Sequence, residues 1–315
     1  MSTLRETPPA GTEPRAVRGR LEALAAVWAP EAPERRVRAA LDPADLRALA
    51  DAGLARTGVA VEHGGLWRGL AASARDYASL TATVARVDPS LALVTAMHPL
   101  VHAYWLACRP GDDEREAFEA QAARVRASAL AGEFWGTITS EPGSGGDIFV
   151  TRAVLARDAA GRATLTGEKH FGSGSGACPF MITTARTDPD AEPTIAILDL
   201  HGVDPLDPPT GITLRRPWDG FGMSATQSHA LHFDAWPVEA HAAPRACMAA
   251  RAVTAQLSGV LFSAVVLTIL EEAVAAARAV LAPRRMQLRA YERVHWVEVD
   301  SRAWLARQAF EGMIA

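Results

Sequence analysis

Residues Ser140–Asp147 read SEPGSGGD, a spacing of residue types with a chemical use. Glycines at 143, 145 and 146 permit backbone angles that side chains disfavour, and Pro142 fixes its own φ. Such a loop turns several N–H groups toward one concave spot, suiting an anion or the polar edge of a heterocycle. The same composition also describes a tight connection in which Asp147 acts as a cap. Just before it, WGTITS supplies hydroxyl donors at Thr137, Thr139 and Ser140. A second stretch, GEKHFGS at 167–173, sets aromatic Phe171 two residues before Ser173. Taken alone, Phe171 reads as core and Ser173 as a turn residue.

Two histidines, His98 and His102, lie one turn apart in the apolar stretch LALVTAMHPLVHAYWLA. They read either as satisfied core histidines or as a polar contact for a ligand. No carboxylate lies near them in sequence, so a metal site is not expected. The adjacent acids Glu271 and Glu272 read as the solvated edge of a helix.

These residues need elements to hold them. The first 18 residues are rich in Pro, Gly and Thr and are expected to be a disordered tail. Residues 19–131 carry helical periodicity: LEALAAVW, DPADLRALADAGL with a capping Asp, two further helices ending in the buried HPLVHAYWLA, and an amphipathic surface helix. At Gly132 the period changes. FWGTITS, ATLTGEKHFG, FMITTART, TIAILDL, GITLRR and HALHFDA are short, β-branched or alternating runs between turn residues. They predict a middle antiparallel β domain over 132–243. Helix returns over 244–315, broken at Pro283.

Composition narrows the classes. With 49% hydrophobic and 22% charged residues, the 315-residue chain can bury a core. A net charge of −4 makes no electrostatic case for nucleic acid. The three cysteines, Cys108, Cys178 and Cys247, form no CxxC or Cys/His cluster, which fits a reducing compartment. The start lacks the apolar stretch of a signal peptide, and the run LSGVLFSAVVLTIL is too short to span a bilayer. A cytoplasmic protein that does not bind membranes is expected.

The order helical, small β, helical, together with SEPGSGGD, GEKHFGS and WDGFGMSATQSHALHFDAWPV in sequence, resembles the acyl-CoA dehydrogenase superfamily of flavoproteins. That resemblance covers most of the chain from about Leu21. It implies an α+β fold with N-terminal helical, middle β and C-terminal helical domains, the last shorter than the family's by a pair of helices or more. It also implies FAD, in preference to FMN, held by Thr137, Thr139, Ser140, Gly145, Gly146, Phe171 and Ser173. By the same resemblance Phe171 stacks on the ring and Ser173 approaches its N5. The chain departs from the family at Gly146, where a second hydroxyl is usual, and at Phe171, where Trp is usual.

Two activities follow from that family. Acyl-CoA desaturation needs a carboxylate to take the α-proton. One of the family's two positions for that base corresponds here to Ala252, and the other lies in the part that looks missing. The second branch, resembling dibenzothiophene monooxygenase, combines reduced flavin with oxygen and needs no such base. There Ser173 and His98 would be the catalytic residues. A third reading is a catalytically silent, shortened paralogue acting as an assembly partner. The family implies a small-molecule substrate, a homodimer or homotetramer, and an electron-transfer flavoprotein or flavin reductase as redox partner.

Overall fold

The computed structural model describes residues 13–284 and 287–315, so residues 1–12 of the expected tail lie outside the described residues. The chain is helical already from Pro14, earlier than expected. Pro14 occupies the first turn of α1 (Pro14–Trp28), where its missing N–H costs nothing, and Val17 and Leu21 enter the core behind it. After the short α2 (Ala32–Val37), α3 (Pro43–Asp51) starts as its sequence predicts, with the Asp42 carboxylate accepting the Ala44 N–H at 2.8 Å. A buried ion network ties these pieces together. Arg35 donates to Asp45 at 2.8 Å, and Arg38 bridges Asp45 at 2.7 Å and Asp88 at 2.6 Å.

Asp88 also caps α5 (Pro89–Leu106), accepting the Leu91 N–H at 2.9 Å. This helix is buried almost all round because it is enclosed by α4 (Leu70–Ala85), by α8 (Arg251–Leu281) and by the first β-strand. Helix α6 (Arg115–Leu130) lies at the surface and leads into the β domain.

Among the described residues, eight strands form two four-stranded sheets. In chain order they are β1 (Trp135–Thr137), β2 (Val154–Arg157), β3 (Ala163–Gly172), β4 (Phe180–Ala185), β5 (Thr194–Asp199), β6 (Ile212–Arg216), β7 (His229–Pro237) and β8 (Glu239–Ala240). One sheet has the order β1-β4-β5-β8 and the other β2-β3-β7-β6. Ile138, Leu165, Met181, Leu198, Leu231 and Phe233 fill the space between them. The expectation of a purely antiparallel domain needs correction, because β1 runs parallel to β4. A chain arriving from α6 can join the edge beside β4 only in that direction and still carry Thr137 toward the end of β3. Strands β2 and β8 add to the six expected runs, being too short to show a period in the sequence.

Helices α7 (Pro244–Ala249), α8 and α9 (Ala290–Met313) close the chain. The 31-residue α8 exceeds its 14-residue apolar run because Ala-rich flanks extend it, and by length and composition alone it could cross a membrane. Leu257, Leu261, Ala264 and Val265 bury one face of it against α4 and α5. Its other face stays open, with Val266 62% and Leu270 38% exposed.

Candidate functional site at the junction of three segments

Three segments far apart in sequence meet at one edge of the β domain. Beyond β1 the chain runs antiparallel to the end of β3, so Thr137 stands opposite Ser173 and Ser140 opposite His170. The His170 N–H donates to the Ser140 carbonyl at 2.8 Å. The 217–228 loop closes the third side. Its Thr226 carbonyl accepts the Gly174 N–H at 2.8 Å, and the Ser228 hydroxyl lies 2.9 Å from that of Ser173. From behind, Met97 of α5 places its sulfur 3.6 Å from the Thr137 hydroxyl. The approach is close enough to require glycine at 136, since a Cβ there would sit 2.8 Å from the Ser173 carbonyl.

The glycine loop is held from below by charge. The Glu141 carboxylate is buried and accepts from Lys169 Nζ at 2.6 Å, from the Arg152 N–H at 2.8 Å and from the Thr151 hydroxyl. Lys169 is fully buried and also donates to the Thr184 carbonyl at 2.6 Å. Burial opposes ionisation of Glu141, yet these hydrogen bonds outweigh it and hold the carboxylate below its ordinary range. Burial likewise lowers the Lys169 ammonium, with Glu141 opposing the shift. The pair thus staples the loop's start to β3 and β4. Sequence reasoning assigns neither residue a role, although one signal is available. Lys169 is the chain's sole lysine among 32 basic residues.

Above that staple the loop is left-handed at Gly143, Gly145 and Gly146, with φ of 79°, 65° and 88°, and a Cβ at any of them would meet only open space. The backbone there faces outward rather than into packing. Asp147 does act as a turn cap, accepting the Phe149 N–H at 2.9 Å. Phe171 is not core. It is 60% exposed, sits at φ 54°, and meets Trp218 edge-on at 6.3 Å between ring centroids. A left-handed Phe held out to solvent is strained, a condition that concentrates at binding sites. Thr139 is buried, and Thr137 and Ser140 are half-buried along the same edge.

The structure does not bring His98 to this edge as a ligand-facing group. It is fully buried; Nε2–H donates to the Ala55 carbonyl at 2.7 Å and Nδ1 accepts the Trp135 N–H at 3.1 Å. The Trp135 donor requires a lone pair on Nδ1, so the ring is the neutral Nε2–H tautomer and burial lowers its pKa to about 4. With both nitrogens engaged, His98 offers neither a proton nor a lone pair to a ligand. The expectation of a catalytic His98 is corrected to a framework role: it anchors the start of β1 to α5. His102, whose ring centroid lies 4.3 Å from that of His98, is equally buried. Glu271 is also committed, accepting both the Arg307 Nε at 2.7 Å and Nη2 at 2.5 Å. Ala252 is exposed in the first turn of α8 and has no acid to offer.

The edge therefore combines outward-facing glycine backbone, an exposed aromatic and a row of hydroxyls. That donor set suits a flat heterocycle with polar edges. Residues 136–236 match the acyl-CoA dehydrogenase middle domain. Among solved structures, butyryl-CoA dehydrogenase from Megasphaera elsdenii is 18% identical, with a TM-score of 0.71 over 94% of this chain and 78% of that one. Methanesulfinate monooxygenase MsuC from Pseudomonas fluorescens is 25% identical, with a TM-score of 0.67 over 94% of this chain and 75% of that one. KijD3, in complex with FMN and a dTDP-sugar, is 24% identical, with a TM-score of 0.73 over 100% of this chain and 76% of that one. No curated protein matches the sequence at a significant level. The fold is that of the acyl-CoA dehydrogenase superfamily, as the resemblance implied, with helical, β and helical parts in the same order.

Proposed function

We propose that this chain binds a flavin at the Thr137–Ser173 edge and is a flavin-dependent oxidoreductase that needs no carboxylate base. The observation that carries this reading is the convergence of the glycine loop, exposed Phe171 and the Ser173 hydroxyl on one face. In that site Gly145 and Gly146 present backbone N–H groups, and Thr139 and Ser140 supply side-chain donors for the polar ring edge, beside Thr137, whose own hydroxyl donates to the Met97 sulfur. Phe171 covers the ring's apolar face, and Ser173 stands at its reactive edge. A bound flavin supplies hydride or electron transfer and, when reduced, reaction with oxygen. Buried Glu141 and Lys169 keep the loop in its binding shape.

Ala252 and Glu271, two positions considered for a base, do not favour desaturation of an acyl thioester. Ala252 carries no carboxyl, and Glu271 is neutralised by Arg307. An oxygen-using reaction on a small substrate asks only for a dry pocket and a hydrogen bond at the ring edge, in which Ser173 can take part. TdsC, solved as dibenzothiophene monooxygenase from Paenibacillus sp. A11-2 and also with FMN bound, has the same fold at 18–21% identity. FAD and FMN are both candidates, FAD being preferred from the sequence resemblance. Association into dimers or tetramers is part of the same reading.

Reconstitution with excess FAD or FMN, followed by an absorption spectrum, tests the binding claim. A colourless protein after both would end it. Mixing the oxidised holoprotein anaerobically with short, medium and branched acyl-CoAs should leave the flavin oxidised. Rapid bleaching would restore the dehydrogenase reading.

A further inference from the structure

Three hydroxyls form a chain behind the candidate ring edge. Ser173 Oγ lies 2.9 Å from Ser228 Oγ, which lies 2.8 Å from Thr226 Oγ1, which lies 2.9 Å from the Met223 carbonyl. All three side chains are buried. Oxygens at these separations repel unless a hydrogen lies between them. Each hydroxyl has one hydrogen, and a carbonyl has none. Three gaps and three hydrogens admit one complete assignment: Ser173 donates to Ser228, Ser228 to Thr226, and Thr226 to Met223. The chain's end is firmly anchored, because the Met223 carbonyl also accepts the Thr226 N–H and the Trp218 indole N–H, each at 3.1 Å.

We infer that Ser228 and Thr226 are positioning residues that fix the polarity of Ser173, so that it presents a lone pair, not a hydrogen, to the flavin edge. This rests on the flavin reading above. Ring nitrogen N5 is a bare acceptor in oxidised flavin and an N–H donor in reduced flavin. Ser173 held as an acceptor therefore complements the reduced ring. Facing the oxidised ring, it either meets lone pair with lone pair or turns its hydrogen outward and leaves one of the chain's three gaps without a hydrogen. The site selects reduced flavin.

The test compares dissociation constants of oxidised FMN and anaerobically reduced FMN in wild type, Thr226→Val and Thr226→Ser, with the same series repeated for FAD. Valine removes one hydrogen and one gap-filling partner, so Ser228 can donate back and Ser173 can turn its proton outward. The preference for reduced over oxidised flavin should fall about tenfold in Thr226→Val, which is a drop of about 30 mV in the two-electron midpoint potential of the bound flavin. Thr226→Ser keeps the hydroxyl and should match wild type. Adding Ser173→Ala should abolish the difference between wild type and Thr226→Val. Equal preference in wild type and Thr226→Val, or a Thr226→Ser variant that behaves like Thr226→Val, overturns the inference while flavin binding stands. Failure of both redox forms to bind any variant overturns the flavin reading and this inference with it.

Discussion

The candidate flavin edge and the outer face of α8 and α9 are built on opposite principles. At the edge, polar groups are buried and matched. Lys169, Glu141, Thr151 and Thr184 form one closed network, and the Ser173 chain forms another. On the outside of the C-terminal helices apolar side chains are displayed, Val266 in a groove with Met313 and Trp304 in a separate one with Arg278 and Arg307, each more than half exposed like Leu305. Phe262, Val266, Leu270 and Met313 line a cavity of about 540 Å³ there. A matched polar network costs desolvation and returns geometry, so it belongs where a ligand must be oriented. An open apolar face orients nothing by itself; it drives association with whatever covers it.

The largest expected effect comes from breaking the matched side. Lys169→Met leaves the Glu141 carboxylate buried without its cation, which should cost about 3–5 kcal/mol of stability by denaturant unfolding. The Glu141→Gln/Lys169→Met double variant should recover much of that loss, because no uncompensated charge remains. A single variant as stable as wild type would mean that the pair is not the staple described.

Next in size is an acid effect centred on His98. Its folded pKa of about 4 lies below the ordinary 6.5, so the unfolded chain binds the proton first. Stability is therefore full above pH 6.5 and falls as pH drops from 6.5 to about 4, by on the order of 3 kcal/mol for this group. His241, also lowered to about 4 by burial, titrates in the same window. Unfolding midpoints measured from about pH 7 to about pH 4 should show that slope, and His98→Ala should be less stable at neutral pH but flatter with pH. An unchanged slope in His98→Ala would put the neutral framework histidine in doubt. Glu141 acts at lower pH. Its depressed pKa contributes stability present above about 4.5 and lost below that as the carboxylate protonates.

Phe171→Ala should leave the thermal midpoint nearly unchanged, because the ring is mostly exposed, yet weaken flavin binding by several-fold to about tenfold. A strong loss of stability with unchanged binding would reverse its assignment. The smallest effect is expected on the open face. Val266→Glu or Trp304→Glu should alter monomer stability by about 0.5 kcal/mol or less while reducing self-association in light scattering. Destabilisation by several kcal/mol would show that this face is internal packing.

Much was legible without coordinates. The capping Asp42, the all-round apolar α5 and the change of period near Gly132 each express local rules, in which a residue's neighbours in sequence are also its neighbours in space. The segments 137–147 and 167–173 announced themselves by glycine, hydroxyl and aromatic content. Their meeting did not. Thr137 faces Ser173 only because β1 joins β4 in parallel and so carries the chain across to β3. The same holds for the Glu141–Lys169 pair, separated by 28 residues, and for Ser173–Ser228, separated by 55. His98 shows the limit most plainly. Its type and its apolar helix allow either a ligand contact or a core role, and the choice lies with Ala55 and Trp135, which only folding brings to its two nitrogens. Sequence determined which groups this chain could use at a site. Tertiary packing decided which of them still have a free hydrogen or lone pair, because a hydrogen bond once made inside the protein is closed to a ligand.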